Sequence, residues 1–297
     1  MKIGIVGGGS IGLLFAFYLN QYHEVILYVR SRVQKELLEE EGLVLTKHGE
    51  TLRTFVRVEP VSEWGKEKLD LSVICVKQYH LDRLLKDCPK NHPLLFIQNG
   101  MGHLKWLAKL ESELILVASI EHGSYRNSEN CVSHTGEGLT RIAIYKGEDG
   151  EFTRRLIAPF TDIFPFVMED DYREMLLRKL IVNAIINPLT AILKVPNGML
   201  LENPFYFQIM NQLFTEIKEI LQLDRAEEYF ENVLNVCKKT KNNRSSMLKD
   251  LDEHRPTEVD AILGFLIEEA RKIHNEAPLV HTLYNCIKGS ELAGEGN

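Results

Sequence analysis

"MKIGIVGGGSIGLLFAFYLNQYHEVILYVRSR" (residues 1–32) decides the fold. Residues 2–6 are a short apolar run closed by glycines, residues 11–20 have the composition of a helix, and "EVILYV" (24–29) reads as a second buried strand. Together they make a β-α-β unit. Gly7, Gly9 and Gly12 stand between the first strand and the helix as G-x-G-x-x-G. In such a turn the first glycine permits the tight bend, the second lets a pyrophosphate approach the backbone, and the third lets helix and strand pack closely. The phosphates then meet the amides of a helix N-terminus. The loop Gly7, Gly8, Gly9, Ser10, Ile11 and Gly12 is therefore the expected dinucleotide cradle, although a glycine turn also has purely structural uses. Arg30 and Arg32 follow the second strand, where an NAD site usually carries an acidic residue for the ribose 2′-hydroxyl. Arginines there favour a 2′-phosphate, hence NADPH; the alternative for each is a solvated surface charge.

Working outward, strand-like runs recur at 70–76, 93–98 and 114–119, separated by amphipathic pieces of helix length. That alternation implies a parallel sheet with helices on both faces. "CVSHTG" (131–136) and "GLTRIAIYKG" (138–147) read as a hairpin or a pair of late strands, and "FPFVMED" (164–170) as a last one. Beyond Asp171 strand signals nearly vanish, and helix-length segments follow at 171–194, 203–223, 226–240 and 257–274. The expected organisation is a Rossmann-type, doubly wound α/β domain over 1–168 and an all-α domain over 169–297. In the last of those helices Val259, Ile262, Leu263, Leu266, Ile267, Ala270 and Ile273 repeat at helical spacing, behind Thr257 as N-cap with Asp260 three residues on. "GSELAGEGN" (289–297) reads as a frayed tail.

Composition narrows the function classes. With 44% hydrophobic and 26% charged residues the 297-residue chain is globular in texture. No apolar run approaches the ~20 residues of a membrane span, and the start lacks the apolar core of a signal peptide, so a cytoplasmic location is expected. Five scattered cysteines without a CxxC pair imply free thiols and no metal site. A formal charge of -7 offers no footprint for nucleic acid. Whether such chains pair into a homodimer through an apolar face of the C-terminal helices is left open.

"RKLIVNAIINPLTAI" (178–192) carries the chemistry. Lys179, Asn183 and Asn187 are spaced by four and share one stripe of a helix that is apolar elsewhere. A buried polar group without a partner costs about 1–3 kcal/mol, and an ammonium more. The stripe therefore needs either an internal hydrogen-bond network or a polar ligand, and beside a nicotinamide site the ligand is the better reading. Pro188 lacks an N–H, which frees the Ala184 carbonyl and predicts a kink. His122 and His134 have no carboxylate partner fixed by the sequence and are not taken as acids.

The stripe and its continuation, "RKLIVNAIINPLTAILKVPNG", resemble the signature of the ketopantoate reductases (2-dehydropantoate 2-reductases), as do "VKQYH", "IQNGMG" and "NRSSMLKDLDEHRPTEVDAILGFL". The resemblance runs in order from the glycine loop to the final long helix. It implies NADPH-dependent reduction of 2-dehydropantoate to (R)-pantoate, a step of pantothenate synthesis, on a Rossmann-type domain followed by a 6-phosphogluconate-dehydrogenase-like helical domain, with the site in the cleft between them. By the same resemblance Lys179 is the general acid, Asn183, Asn187, Asn197 and Asn243 line the substrate pocket, and Ser246 holds the substrate carboxylate. Glu258 contacts cofactor and substrate, Lys77 and Asn99 flank the cofactor, and Arg30 matches the 2′-phosphate arginine. The chain departs from the family pattern at "ASIEHGSY" (118–125), which puts Glu121 in a run usually of threonines and Ser124 at a cofactor-adjacent place often taken by alanine. Asp250 is compatible with orienting Ser246 or with capping a turn, and is left outside the site. Two alternatives stand beside this reading: a reductase of another 2-keto acid or β-hydroxyacid, and a non-catalytic NADP-binding sensor.

Overall fold

The computed structural model describes residues 1–160 and 163–294. The chain divides into two compact units, one formed by Met1–Gln98 with Lys105–Met175, the other by Asn99–Leu104 with the chain from Leu176 on. The division falls at Met175 rather than at 168, because residue 168 lies inside a strand of the first unit.

Among the described residues the first unit holds twelve strands: β1 (Lys2–Val6), β2 (Glu24–Val29), β3 (Leu43–Lys47), β4 (Glu50–Thr54), β5 (Arg57–Pro60), β6 (Leu71–Ile74), β7 (Leu94–Phe96), β8 (Ile115–Ile120), β9 (Gly123–Arg126), β10 (Cys131–Gly136), β11 (Thr140–Lys146) and β12 (Phe166–Glu169). Eight of them form one sheet in the order β12-β11-β8-β7-β6-β1-β2-β5. Every pairing in it is parallel except β11 against β8. Central strands covered on both faces need apolar residues at every position, and β6 and β7 are buried along their whole length. From β1 the chain builds outward to β2 and β5 on one side and then returns to β6 on the other side of β1, so the strand order reverses there and the crevice of an open α/β sheet lies at the end of β1.

Strands β4-β3-β10-β9 form a second sheet that the sequence reading did not anticipate. "CVSHTG" and "GLTRIAIYKG" are accordingly not a hairpin: β10 pairs with β3 and β9 in the small sheet, whereas β11 pairs with β8 and β12 in the large one. Helix α1 (Ser10–Leu19) packs against β1 and β2 on one side and β3, β9 and β10 on the other. A helix between two sheets has no solvent face, which is why "GLLFAFYL" is buried from Gly12 to Leu19 without amphipathic alternation. One face of the large sheet is thus covered by a helix and then by a sheet, not by helices alone. Helix α2 (Arg32–Glu41) packs on β5 and β2, with Ser31 Oγ accepting from Gln34 N at 3.3 Å as its cap. Short helices α3 (Leu81–Leu84), α4 (Leu104–Leu107) and α5 (Phe152–Ile157) complete the connections.

Helices alone build the second unit among the described residues: α6 (Tyr172–Leu193), α7 (Met199–Glu202), α8 (Pro204–Leu221), α9 (Ala226–Lys239), α10 (Ser246–Asp252), α11 (Phe265–Lys272) and α12 (Pro278–Gly294). The first turn of α6 belongs to the first unit. Asn203 caps α8 by accepting from Phe205 N and Tyr206 N, Pro204 fills the first helical position, and Met210, Leu213, Phe214, Ile217 and Ile220 make its buried stripe. Helices α11 and α12 pack against that same α8.

Three expectations need correction here. The helix expected over 257–274 opens as a π-helical turn, Asp260–Gly264, before α11; Thr257 Oγ does accept from Val259 N (3.2 Å), but Asp260 serves Tyr284 Oη (2.6 Å) and Lys288 Nζ (3.3 Å) instead of closing a capping box. Residues 289–294 of the expected frayed tail are the last turns of α12, and 295–297 lie outside the described residues. Finally, α6 is itself long and apolar enough to cross a membrane by length and composition, contrary to the reading of the chain, yet most of that apolar stretch is buried within the fold. It continues as one helix through Pro188 and stops where Lys194 adopts a left-handed φ of +54°.

Candidate active site

The glycine loop is held by contacts that exclude side chains. Gly7 has φ +116°, and its N–H donates to the Tyr28 carbonyl at 2.9 Å, fastening the turn to the end of β2. A Cβ on Gly12 would stand 1.8 Å from the Gly7 carbonyl oxygen, so helix and turn meet through bare backbone. Gly9 is different: it precedes α1, is exposed, and nothing lies within 4 Å of where its Cβ would be. Gly9 thus leaves room beside the N-terminus of α1, and no acidic residue occupies the first turn to oppose an anion there. Ser10 and Ile11 supply the next amides of the same turn.

Parallel pairing of β2, β1 and β6 places the residues that follow them along one edge of the sheet. Arg30 follows β2, the glycine loop follows β1, and Lys77 follows β6. Of the two arginines, Arg32 is 89% exposed and committed to Glu36 at 2.6 Å, whereas Arg30 has no ion pair among the described residues. Ser124 lies in β9 of the small sheet, opposite His134. Glu121 is exposed and accepts from Arg141 Nε at 2.8 Å, and Arg141 also pairs with Glu169, so the unusual acid is neutralised by a neighbouring strand. His134 and His122 form a buried line with Tyr18: Tyr18 Oη is 2.8 Å from His134 Nδ1, and His134 Nε2 is 3.2 Å from His122 Nδ1. His122 stacks on Phe164 with centroids 4.2 Å apart. Burial pushes His122 down to about 4, and burial also lowers His134, so both are neutral packing groups.

In the second unit, Lys179 and Asn183 are half-buried on α6 and Asn187 is 8% exposed, while Leu180, Ile181, Ala184, Ile185 and Ile186 are buried. Neither asparagine amide makes a side-chain hydrogen bond among the described residues, so an internal network does not account for them. The stripe has a fourth member. Thr190, three turns on from Lys179, is fully buried; its hydroxyl bonds the Ile186 carbonyl (2.7 Å) and contacts the hydroxyl of Ser245 (2.8 Å). Ser245 in turn caps α10 by accepting from Leu248 N at 3.2 Å. The two serines of S-S-M therefore divide the work: Ser245 is buried and structural, and Ser246, the first residue of α10, is exposed.

The P-N-G turn is stitched to the same loop. Asn197 N donates to the Asn243 carbonyl at 3.0 Å, Gly198 N to the Lys241 carbonyl at 2.9 Å, and Asn197 Nδ2 to Thr240 Oγ1 at 2.9 Å. Asn197 Oδ1 is buried and has no partner among the described residues. Asp250 Oδ1 accepts from Arg255 Nε (3.0 Å) and Nη2 (2.7 Å). That clamp shapes the loop leading to Glu258, whose Oε2 accepts from Asn99 Nδ2 at 2.7 Å. Gly100, with φ +76°, lets this segment press onto the π-helical turn, since a Cβ there would lie 2.1 Å from the Ala261 carbonyl oxygen. Glu291 of α12 completes the support by accepting from Thr257 N (2.8 Å) and Oγ1 (2.7 Å). Thr190 was recoverable as the next position of the helical stripe. Arg255 and Glu291 had no local signal, because their partners are set by tertiary contacts.

A family model described as ketopantoate reductase PanE/ApbA matches residues 3–147, and its C-terminal counterpart matches residues 171–291. The chain belongs to the ketopantoate reductase family. Among its relatives, the 2-dehydropantoate 2-reductase of Bacillus subtilis (strain 168) is 40% identical over 294 residues, covering 98% of each chain. A crystal structure of a probable 2-dehydropantoate 2-reductase panE from Bacillus subtilis superposes with a TM-score of 0.90 at 39% identity, over 98% of this chain and 100% of that one. The family fold also extends to D-mandelate dehydrogenase in complex with NADH and anilino(oxo)acetate, at a TM-score of 0.89 but 22% identity over 99% of each chain.

Proposed function

We propose that this chain reduces 2-dehydropantoate to (R)-pantoate with NADPH, a cytoplasmic step of pantothenate synthesis acting on a small anionic substrate. The observation that carries the reading is the α6 stripe: beside the half-buried Lys179, the amides of Asn183 and Asn187 make no side-chain hydrogen bond among the described residues, in a helix otherwise apolar. When bound, the nicotinamide cofactor supplies hydride to the ketone carbon. Negative charge then develops on the ketone oxygen, and Lys179 Nζ gives it a proton. The same ammonium draws in an anionic substrate.

Asn183, Asn187 and the Ser246 hydroxyl hold the substrate's hydroxyl and carboxylate groups, fixing which carbonyl face is presented. Asn197, with its unpartnered oxygen, and Asn243 extend that polar wall. Glu258, held by Asn99, serves both substrate and cofactor. The Gly7–Gly12 loop takes the pyrophosphate, Arg30 the 2′-phosphate, and Lys77 and Ser124 flank the dinucleotide. Preference for NADPH is supported by Arg30 lacking any ion pair among the described residues.

The test is NADPH consumption with 2-dehydropantoate, repeated with NADH and with a panel of other 2-keto acids. We expect turnover of 2-dehydropantoate and a kcat/KM at least about tenfold higher with NADPH, the worth of one charge-assisted contact. Faster turnover of another keto acid overturns the substrate assignment. Tight NADPH binding with no turnover of any keto acid makes the chain a sensor.

A further inference from the structure

Gln34 is a polar side chain only 4% exposed, on a helix whose neighbouring positions Arg32, Val33, Glu36 and Glu39 to Glu41 are largely open to solvent. Its Nε2 donates to the Gly8 carbonyl at 2.8 Å and to the Glu129 carbonyl at 2.7 Å. One amide thus spends both its protons on joining the glycine loop to the turn between β9 and β10. The packing is tight, since a Cβ on Gly8 would lie 2.6 Å from Gln34 Oε1. The chain has no cis peptide bond among its described residues, so the N–H of Gly9 points opposite to the Gly8 carbonyl that Gln34 holds. That N–H has no acceptor among the described residues, and it borders the open space beside Gly9.

We propose that Gln34 is a positioning residue for the cofactor: by holding the Gly8 carbonyl it aims the Gly9 N–H at the pyrophosphate. Without that hold the peptide plane between Gly8 and Gly9 rotates, and a carbonyl oxygen takes the place of a donor before an anion. The second bond, to Glu129, sets the loop's position against the β9–β10 turn, and β9 carries Ser124. The proposal rests on the nicotinamide reading of the glycine loop.

Gln34→Met keeps the volume and removes both bonds. NADPH binding to the substrate-free protein is measured by fluorescence titration, with Tm and steady-state kinetics alongside. We expect the NADPH Kd and KM to rise about tenfold, with kcat at saturating NADPH and the KM of the keto acid within about twofold of wild type. Gln34→Glu, which keeps the shape but turns acceptor oxygens toward two carbonyls, is expected to weaken NADPH at least as much. An unchanged NADPH Kd in Gln34→Met overturns the proposal, as does a parallel loss in kcat and keto-acid KM, which would mark Gln34 as a general support of the fold. A wild-type protein that binds neither NADPH nor NADH removes the cofactor reading and this proposal together; wild-type binding matched by Gln34→Met removes the proposal alone.

Discussion

Lys179 is the one cation on the stripe of α6, and the amides below it cannot give a proton to an alkoxide at neutral pH. Lys179→Ala is therefore expected to lower kcat by about 10²–10⁴-fold while the NADPH Kd stays within about twofold, because the loss falls on proton transfer. Single-turnover kinetics and a fluorescence titration check the two halves, and near-normal turnover would sink the assignment. Lys179→Arg keeps the charge but not a readily released proton, so it should restore substrate affinity more than kcat. The arginines after β2 separate in the same way. Arg30→Ala should raise the KM for NADPH about tenfold and leave that for NADH nearly unchanged, since it removes a charge-assisted contact to a group only NADPH has. Arg32→Ala should change neither by more than about twofold, because Arg32 is already spent on an exposed pair with Glu36. Equal effects of the two substitutions on both cofactors would contradict the assignment of Arg30.

At the scale of elements, α12 reaches the site through Glu291. Thr257 is 3% exposed and sends both its N–H and its hydroxyl to the Glu291 carboxylate, one residue before Glu258. Glu291→Ala leaves two buried donors without an acceptor, which should cost about 1–3 kcal/mol in urea unfolding and raise the keto-acid KM through a misplaced Glu258. Glu291→Gln keeps an acceptor oxygen and should fall between; equal stability of all three proteins would show that the contact carries no weight. That link illustrates what a chain discloses about itself. The β-α-β unit, the central strands and helices α6, α8 and α9 were legible because each is announced by its own apolar run or periodicity. Strand β4 was not, because it is exposed or half-exposed throughout and has no buried face to alternate with. Nor was the separation of β10 from β11, since which sheet a strand joins depends on partners distant in sequence. In the site, residue types at helical spacing pointed to Lys179, Asn183 and Asn187 unaided. The roles proposed for Ser246 and Glu258 came only with the family resemblance, and the contacts of Gln34 and Glu291 came only with the structure.

For the molecule as a whole, buried histidines set the acid limit of stability. His103 is fully buried, neither ring nitrogen has a partner among the described residues, and burial pushes it down to about 4. His122 is held at about 4 by burial first and by the neighbouring His134 second. Burial also lowers His23, His92 and His134. In the unfolded chain each titrates near the ordinary value of about 6.5. Below that pH the unfolded state takes up protons that the native state refuses, so the contribution of these groups is complete above about pH 6.5. It falls as pH drops toward about 4, where His103 and His122 charge in place and the slope ends. His103 and His122 each add about 1.4 kcal/mol per pH unit within that window, and His23, His92 and His134 act in the same direction. The carboxylates act lower: Glu137, which Lys47 and His48 hold at about 2, begins to matter only as pH falls through the ordinary carboxylate range. Destabilisation should therefore start while the acids are still ionised. It should affect both units, because His103 belongs to the helical unit and His122 and His134 to the α/β unit. Urea unfolding at about pH 7.5, 6 and 5 should show a steep loss of stability in the wild type. His103→Leu, an apolar replacement of similar volume, should shallow that slope by about one proton at pH 5. A flat profile over this range, or a slope untouched by the substitution, would mean that His103 is protonated in the folded protein.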